Sequence, residues 1–324
     1  MEIFKYKKPL SLMSMSKRFG ALSVVALILA FGLIFTKGFN YGIDFAGGTL
    51  IQIKYEGKAP ISEVRDVIAT DKAYEGATVT FFGSEDEIVI KTKMSSQNLG
   101  EDISDKVRTL LKDTQGFKEV RRVDMVGAKV GSELREQGLM AMVLAIIGIL
   151  IYVSFRFEWR FAVAAVLALI HDVTIAMGMI VLVGVEVNLD ILAALLTILG
   201  YSLNDTIIVF DRIREGIRTI KNPDLEGIIN ESVSRTLSRT TLTSLTTFFV
   251  VLTLFLFGGE IINGFSFTLL VGIIVGTYSS IFVASPILLW LGFSVGGFRE
   301  KEAAKLKREK EKEKMRAMYE NGTL

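Results

Sequence analysis

The stretch Leu199-Gly-Tyr-Ser-Leu-Asn-Asp-Thr-Ile-Ile-Val-Phe210 places the carboxylate of Asp205 inside a segment that is otherwise apolar enough to cross a bilayer. A carboxylate at membrane depth costs several kcal/mol unless it is paired, protonated or in contact with water. A group with so high a cost in lipid indicates proton or ion handling. The stretch therefore predicts a transmembrane helix that carries a functional carboxylate.

Further long apolar runs accompany this helix. Half of the 324 residues are hydrophobic, and the mean hydropathy is +0.45. Continuous runs that approach or exceed about 17 residues favour an α-helical polytopic membrane protein over a β-barrel. Six transmembrane helices are predicted, over residues 19–36, 138–155, 161–183, 191–210, 241–258 and 265–291.

Positive charge is distributed unevenly between the segments that join these spans. Lys and Arg number five before the first span, two in the turn 156–160, six in residues 211–240 and nine after residue 291. The short loops 184–190 and 258–264 contain none.

This asymmetry predicts the orientation of the chain, because Lys- and Arg-rich loops stay in the cytoplasm. Segments 1–18, 211–240 and 292–324 are predicted to be cytoplasmic, so that both termini lie inside and residues 37–137 form a periplasmic domain. No small-residue cleavage site follows the first span, which is therefore predicted to be retained.

Residues 37–137 are numerous enough for a small domain with its own core. Alternating runs predict strands, and apolar residues at helical spacing predict helices. The predicted elements are strands at 49–55, 78–82, 88–93 and 118–126, helices at 60–70 and 96–114, and a turn at 83–86. This βαββαβ order is that of a ferredoxin-like α+β domain. Its 15 basic and 17 acidic residues nearly balance, which argues against nucleic-acid binding.

The segments that flank the spans are predicted to be helical or solvated. Residues 128–138 indicate a short helix at the membrane surface, and the Lys- and Glu-rich run 299–316 indicates a solvated helix, with anionic lipid or RNA contact as the alternative. The segment 211–240 carries an apolar stripe, typical of a helix that lies at the interface or packs on the base of the bundle. The stripe consists of Leu225, Ile228, Ile229 and Val233.

Polar side chains inside spans must face one another or a wet channel. The third span carries His171 and Asp172, the fourth carries Asn204 and Asp205, and Arg239 opens the fifth. An Asp–Arg pair is a natural proton-gated switch, because withdrawing the cation from a buried carboxylate favours its protonation. Asn204, with Ser202, is expected to share the proton of Asp205 or to orient a water molecule.

Purely structural roles are the alternatives to these predictions. Asp205 and Arg239 can form a static salt bridge between helices, and the interpretation favoured for His171 is a helix–helix hydrogen bond rather than a proton relay. A purely structural role is harder to assign to Asp172, because this carboxylate also lies in the middle of a span.

Glycine motifs indicate close approach of the backbone rather than ligand binding. Gly42, Asp44, Gly47 and Gly48 belong to the run 42–49, which precedes a strand and so does not fit a phosphate loop. Gly272 and Gly276 form a small-xxx-small face, typical of tightly packed membrane helices.

The sequence contains no pattern typical of a metal, cofactor or catalytic site. There is no cysteine for a disulfide or a thiolate metal site, and metal-ligand spacing and a Ser/His/Asp arrangement are absent. We therefore expect a protein that is not an enzyme, with protons as coupling ion and with neither metal nor organic cofactor.

Taken together, these motifs resemble those of the SecD/SecF family of protein-export membrane proteins, which belongs to the RND superfamily. The residues that carry the resemblance are the runs 41–49, 126–134, 154–160, 171–173, 200–206 and 239–244, with Tyr201-Ser-Leu-Asn-Asp205 as the most specific part.

The resemblance implies half of a twelve-span bundle in the bacterial cytoplasmic (inner) membrane, with a six-span SecD partner. It implies that the proton gradient drives late preprotein export beside the SecYEG translocon, with YajC as a further partner. It also implies proton conduction by Asp205 and Arg239.

Two other functions stay open at this point. One is half of an RND-type exporter of small molecules or lipids, although such exporters usually have much larger outer domains. The other is a scaffold that holds translocon subunits together without conducting protons. An intramembrane protease is a poor third, because no aspartyl-protease motif surrounds the two membrane carboxylates.

Overall fold

Among the residues that the structure describes, six helices are long and apolar enough to cross a membrane, as judged by length and composition. The computed structural model describes residues 9–93, 103–221 and 224–320. Within these ranges the predicted fold class is confirmed, because a helical bundle carries a small antiparallel sheet domain between its first and second long helices.

The helices of the bundle extend beyond the predicted spans, because charged and amphipathic flanking residues continue the same helices. They are α1 (Ser16–Lys37), α5 (Ala128–Arg156), α6 (Trp159–Val183), α7 (Leu189–Thr219), α8 (Leu225–Phe257) and α9 (Gly259–Ser279). After α9 comes a π-helical turn, Ser280–Ala284, which leads into the short α10 (Ser285–Trp290). The last helix, α11 (Val295–Glu320), is exposed from residue 303 to residue 316, as expected of a solvated helix.

Three local predictions about the bundle are wrong. The surface helix predicted at 128–138 is the first part of α5. Residues 211–240 do not form a helix of their own, because α7 runs to Thr219 and α8 begins at Leu225. The loop predicted at 258–264 is helical from Gly259 onward.

The apolar stripe of residues 211–240 packs on the base of the bundle, which was one of its two predicted placements. Ile228, Ile229 and Val233 are almost fully buried there and join the same core as Phe161 and Phe210. This burial explains why the long α7 and α8 stay helical beyond the membrane-spanning length.

The sheet domain has the predicted βαββαβ order. After the short helix α2 (Ile43–Ala46), its elements are β1 (Gly48–Tyr55), α3 (Ile61–Ala69), β2 (Thr78–Phe82), β3 (Ser84–Thr92), α4 (Ile103–Leu111) and β4 (Phe117–Val126). The strand order is β2-β3-β1-β4, and all three pairings are antiparallel, as in a ferredoxin-like fold. The two helices cover one face, where Ile51, Ile53, Val64, Ile90 and Leu111 form a dry core.

Two predicted boundaries in this domain differ from the structure. The first residues of the helix predicted at 96–114 lie outside the described residues, and α4 ends at Leu111. The predicted turn 83–86 is reduced to Gly83, with a φ of 74°, because β3 already begins at Ser84. The charged start of β3 is tolerated because Lys54 and Arg121 form ion pairs with Glu87, at 3.1 and 2.5 Å.

Candidate functional site

Two glycines bring α9 into close contact with α7. A methyl group on Gly272 would lie 2.2 Å from a side-chain carbon of Ile198, and one on Gly276 would lie 3.0 Å from Cβ of Ser202. A side chain at position 272 would overlap Ile198, and one at position 276 would make an unusually tight contact with Ser202, so the predicted small-xxx-small face is confirmed as a packing surface. Because α9 lies so close, hydroxyl groups after Gly276 reach the carboxylates of the neighbouring helices.

Asp172 on α6 is fully buried, and both of its oxygens have hydrogen-bond partners. Its Oδ2 accepts from Ser202 Oγ of α7 at 2.5 Å and from Ser279 Oγ of α9 at 2.7 Å. Its Oδ1 lies 2.8 Å from Nδ1 of His171. The carboxylate therefore links three helices.

The favoured interpretation of His171, a hydrogen bond between helices, is wrong. Its Nδ1 bonds to Asp172, the next residue on the same helix, and its ring stacks on that of Tyr278 with centroids 6.2 Å apart. Nε2 is buried and has no partner among the described residues. The imidazole thus orients one carboxylate oxygen and packs on α9.

Asp205 on α7 is 1% exposed and has fewer partners than Asp172. Its Oδ2 accepts from Ser244 Oγ of α8 at 3.0 Å, and Thr277 of α9 donates to that serine oxygen at 2.8 Å. Its Oδ1 is buried and has no hydrogen-bond partner in the part of the chain that the structure describes. Asp205 therefore ends a chain of two hydroxyl groups that come from two other helices.

The predicted partner Arg239 does not contact Asp205. Arg239 is exposed on α8, and the described residues include no ion pair between its guanidinium and Asp205. The physical reason is helical phase, because Ser244 faces Asp205 and Arg239, five residues earlier, lies about 140° around the helix. The static salt bridge considered from the sequence is thus wrong for this conformation.

The predicted roles of Asn204 and Ser202 also change. Asn204 is exposed on α7, pointing away from the carboxylates, so it is not placed to share the proton of Asp205. Ser202 is fully buried, but it donates to Asp172 instead. Adjacent positions on a helix lie about 100° apart, and this separates Asn204 from Asp205.

The glycine motif at 42–49 forms the root of the sheet domain. A methyl group on Gly47 would lie 2.7 Å from Cα of Ala128, and one on Gly48 would lie 2.3 Å from the carbonyl oxygen of Thr92. Both residues also have positive φ, 79° and 149°. The predicted tight approach is therefore present, and it fixes the start of β1 against the start of α5.

Asp44, at the same root, binds the start of α7. Its Oδ2 accepts from the backbone N–H of Leu189 at 3.1 Å. Asn188 caps the helix, because its Oδ1 accepts from the backbone N–H of Ile191 at 3.0 Å. Gly42 donates its N–H to the carbonyl of Val187 at 3.0 Å. The motif thus connects the sheet domain to the helix that carries Asp205.

Sequence reasoning missed Ser244, Thr277 and Ser279. Each is a small hydroxyl residue in an apolar run, where its side chain can also bond to its own helix, so the sequence gives little reason to single it out. Within the described ranges, no group of three or more His, Asp and Glu residues is placed to hold a metal ion. The site instead consists of two buried carboxylates that form hydrogen bonds with hydroxyl groups on α7, α8 and α9.

The fold and site define a six-span membrane protein with a buried polar core and a ferredoxin-like domain outside the bundle. The chain belongs to the SecD/SecF family of protein-export membrane proteins. The family model described as protein export membrane protein SecD/SecF, C-terminal, matches residues 106–294, and the SecD/SecF GG motif matches residues 32–59. The adjacent glycines Gly47 and Gly48, which make the tightest backbone contacts at the root of the sheet domain, lie in the region that this motif matches.

Named relatives match almost the whole chain. A protein translocase subunit SecF of Helicobacter pylori strain J99 is 50% identical over 322 residues, which is 99% of each chain. The subunit SecF of Calditerrivibrio nitroreducens is 46% identical, over 89% of this chain and 96% of its own.

Solved structures of SecDF have the same fold. SecDF from Thermus thermophilus, described as a translocon-associated membrane protein, matches with a TM-score of 0.76 and 36% identity over 90% of this chain. A super-membrane-facing form of SecDF matches with a TM-score of 0.68 and 34% identity over 94%. The chain spans about two fifths of those longer chains, 40% and 41%.

Proposed function

We propose that this chain is an accessory subunit of the Sec translocase that uses the proton motive force to promote late stages of preprotein export. The names of the relatives support the translocase role. The match to two fifths of SecDF supports a six-span SecD partner that supplies the remaining helices.

The remaining parts of the proposal concern location, partners and chemistry. The chain lies in the bacterial inner membrane with both termini in the cytoplasm, works beside SecYEG and YajC, and contacts the preprotein in transit. It is not an enzyme, and protons are its coupling ion, with no other cofactor. The charge asymmetry of the loops supports the orientation.

The observation that carries the proposal is the hydroxyl chain at Asp205. With Asp205 ionised, Thr277 donates to Ser244, and Ser244 donates to the carboxylate. When Asp205 takes up a proton, its hydroxyl group can donate to Ser244, which then donates to Thr277. Thr277 in turn donates to the carbonyl of Ile273, 2.8 Å away. Because a hydroxyl group both donates and accepts, the same three groups satisfy both protonation states.

Arg239, Asp172, His171 and Asn204 keep supporting roles in the proposal. Asp172, oriented by His171, holds α6, α7 and α9 together beside the hydroxyl chain at Asp205. Arg239 acts in a state in which α8 has turned to bring its guanidinium towards Asp205. Asn204 faces outward on α7, where the six-span partner would cover it.

The test is Asp205→Asn, which keeps the shape of the side chain and removes its titration. Preprotein translocation is measured in inverted membrane vesicles, with and without a proton gradient, at equal amounts of this chain and SecD. We expect translocation driven by ATP alone to persist and gradient stimulation to disappear. Asp190→Asn, at the exposed start of the same helix, serves as the matched control and should behave as wild type.

Normal gradient stimulation in the Asp205→Asn protein would contradict the proposal and favour the scaffold alternative. Export of a small molecule or lipid by vesicles with the wild-type chain, lost in the variant, would favour the exporter alternative.

A further inference from the structure

The helix α9 contacts the buried carboxylates at one end and the sheet domain at the other. Thr277 and Ser279, near its carboxyl end, belong to the hydrogen-bond networks of Asp205 and Asp172. Glu260, in its first turn, accepts a hydrogen bond from the backbone N–H of Phe81, at 3.0 Å from Oε2. The two regions are about 26 Å apart along the axis of a continuous helix.

The contact at Phe81 involves an edge of the sheet. β2 is the outermost strand on its side, so every second residue directs its backbone groups away from β3. Of these outward groups, the carbonyl of Val79 accepts from Arg65 of the same domain at 2.8 Å. The N–H of Phe81 is bonded by Glu260 of the bundle. Glu260 thus provides a backbone-directed bond between the sheet domain and a long helix of the bundle.

The sheet domain also rests on the start of α7. Lys91 of β3 pairs with Glu186 in the loop before α7 at 3.0 Å, and Asp44 accepts from the N–H of Leu189 at 3.1 Å. The helix α7, which carries Asp205, and the helix α9, which carries Thr277, therefore both contact the domain or its root at the same end of the bundle. Between these contacts lies a cleft of about 530 Å³, lined by β2, β3 and the first turns of α7 and α9.

From this arrangement we infer that Glu260 is a positioning residue that couples Asp205 to the sheet domain, by holding strand β2 on the first turn of α9. The inference deepens the proposed function and rests on it, because it names the contact through which protonation of Asp205 reaches the domain. The sheet domain changes its angle over the cleft when α9 shifts.

The coupling follows from the direction of the hydrogen bonds at Thr277. Protonation of Asp205 reverses the bond between Ser244 and Thr277, which alters how α9 is held against α8. A helix packed by glycine against α7 moves as a rigid element, since Gly272 and Gly276 leave little space for local bending. A small shift at Thr277 therefore displaces Glu260, and the bond to Phe81 transmits it to the edge strand.

The test measures access to the cleft with a single introduced cysteine. The chain contains no cysteine, so Thr80→Cys, which lines the cleft, gives one labelling position. The rate of maleimide labelling is compared between Asp205 and Asp205→Asn proteins, each reconstituted as the full chain with SecD. We expect the two rates to differ by at least roughly fivefold, the lower end of typical coupling between sites.

Variants at Glu260 decide whether the coupling passes through this residue. In Glu260→Ala the change in labelling rate caused by Asp205→Asn should vanish. In Glu260→Gln it should return, because the amide oxygen still accepts from Phe81. Asp190→Ala is the matched control, since it removes a carboxylate from the same cleft and should keep the response.

Several results would overturn the inference. One is an equal response to Asp205→Asn with and without Glu260, and another is loss of the response in both Glu260→Ala and Glu260→Gln. A third is the absence of any response although Asp205→Asn abolishes gradient-stimulated export, which leaves the proposed function standing. Normal gradient-stimulated export in the Asp205→Asn protein would instead overturn the proposed function itself.

Discussion

Asp172 and Asp205 are buried to nearly the same extent, 0% and 1% exposed, yet their surroundings differ. Both oxygens of Asp172 have hydrogen-bond partners, which are two serines and a histidine. Asp205 accepts from one serine and has one buried oxygen without a partner among the described residues. Burial alone therefore does not distinguish these two carboxylates, whereas the number and type of their hydrogen-bond partners does.

The difference also concerns what each set of partners can tolerate. The donors at Asp172 come from three helices, so that any change of its charge disturbs the packing of α6, α7 and α9 together. The donors at Asp205 form a line that can reverse, ending on the carbonyl of Ile273. We therefore propose that Asp172 holds the bundle together and that Asp205 responds to the proton.

The largest expected effect separates the two aspartates by stability. Asp172→Leu leaves Ser202, Ser279 and His171 without their acceptor, and we expect it to destabilise the bundle by about 3 kcal/mol. Asp205→Leu leaves only Ser244 to find a new acceptor, at a cost of about 1 kcal/mol. Thermal unfolding in detergent micelles should show the larger fall in Tm for Asp172→Leu. Equal shifts in Tm would remove the distinction.

A smaller effect tests the reversible line at Asp205. Ser244→Ala interrupts the line, and we expect most of the gradient stimulation of export to be lost while the protein remains assembled. Thr277→Val removes the next hydroxyl group of the line and should weaken the gradient stimulation. Thr277→Ser, which keeps the hydroxyl group, should retain the stimulation. Translocation into inverted vesicles with and without a gradient provides the measurement. If Thr277→Val and Thr277→Ser behave alike, the hydroxyl group of residue 277 is not part of the switch.

The sequence was sufficient to predict the six spans and the order of the sheet domain. Both depend on the local period of apolar residues, which β1 shows as alternating burial along the strand. The boundaries of α7 and α8 were not predictable in the same way, since their extension depends on burial of Ile228 and Ile229 against the base of the bundle.

The site was predicted less completely than the fold. Asp172 and Asp205 stood out because a charge in an apolar run is costly wherever it lies. Their partners did not stand out, because Ser244, Thr277 and Ser279 come from helices whose mutual rotation the sequence does not specify. The pairing of Asp205 with Arg239 failed for the same reason, since proximity in the chain says nothing about which face of α8 turns inward.

The smallest expected effect concerns a partly exposed ion pair of the sheet domain. Lys54 and Asp86 pair at 2.5 Å on the surface of the sheet domain. The hydrogen bond from Lys54, with a further one from Ser84, lowers the pKa of Asp86 from 3.8 to about 2. Because the folded pKa lies below the unfolded one, the pair stabilises the domain above about pH 4, and this contribution disappears as the pH falls through 2.

Residues 38–125, expressed alone, provide the system in which to measure this pair, since the dry core of the domain is formed by its own two helices and four strands. We expect a cooperative melt by circular dichroism and a Tm that falls more steeply between pH 4 and pH 2 in wild type than in Asp86→Asn. At neutral pH the variant should lose only a little stability, because ion pairs exposed to water contribute little. Identical acid dependence in the two proteins would mean that Asp86 titrates alike in the folded and unfolded chains.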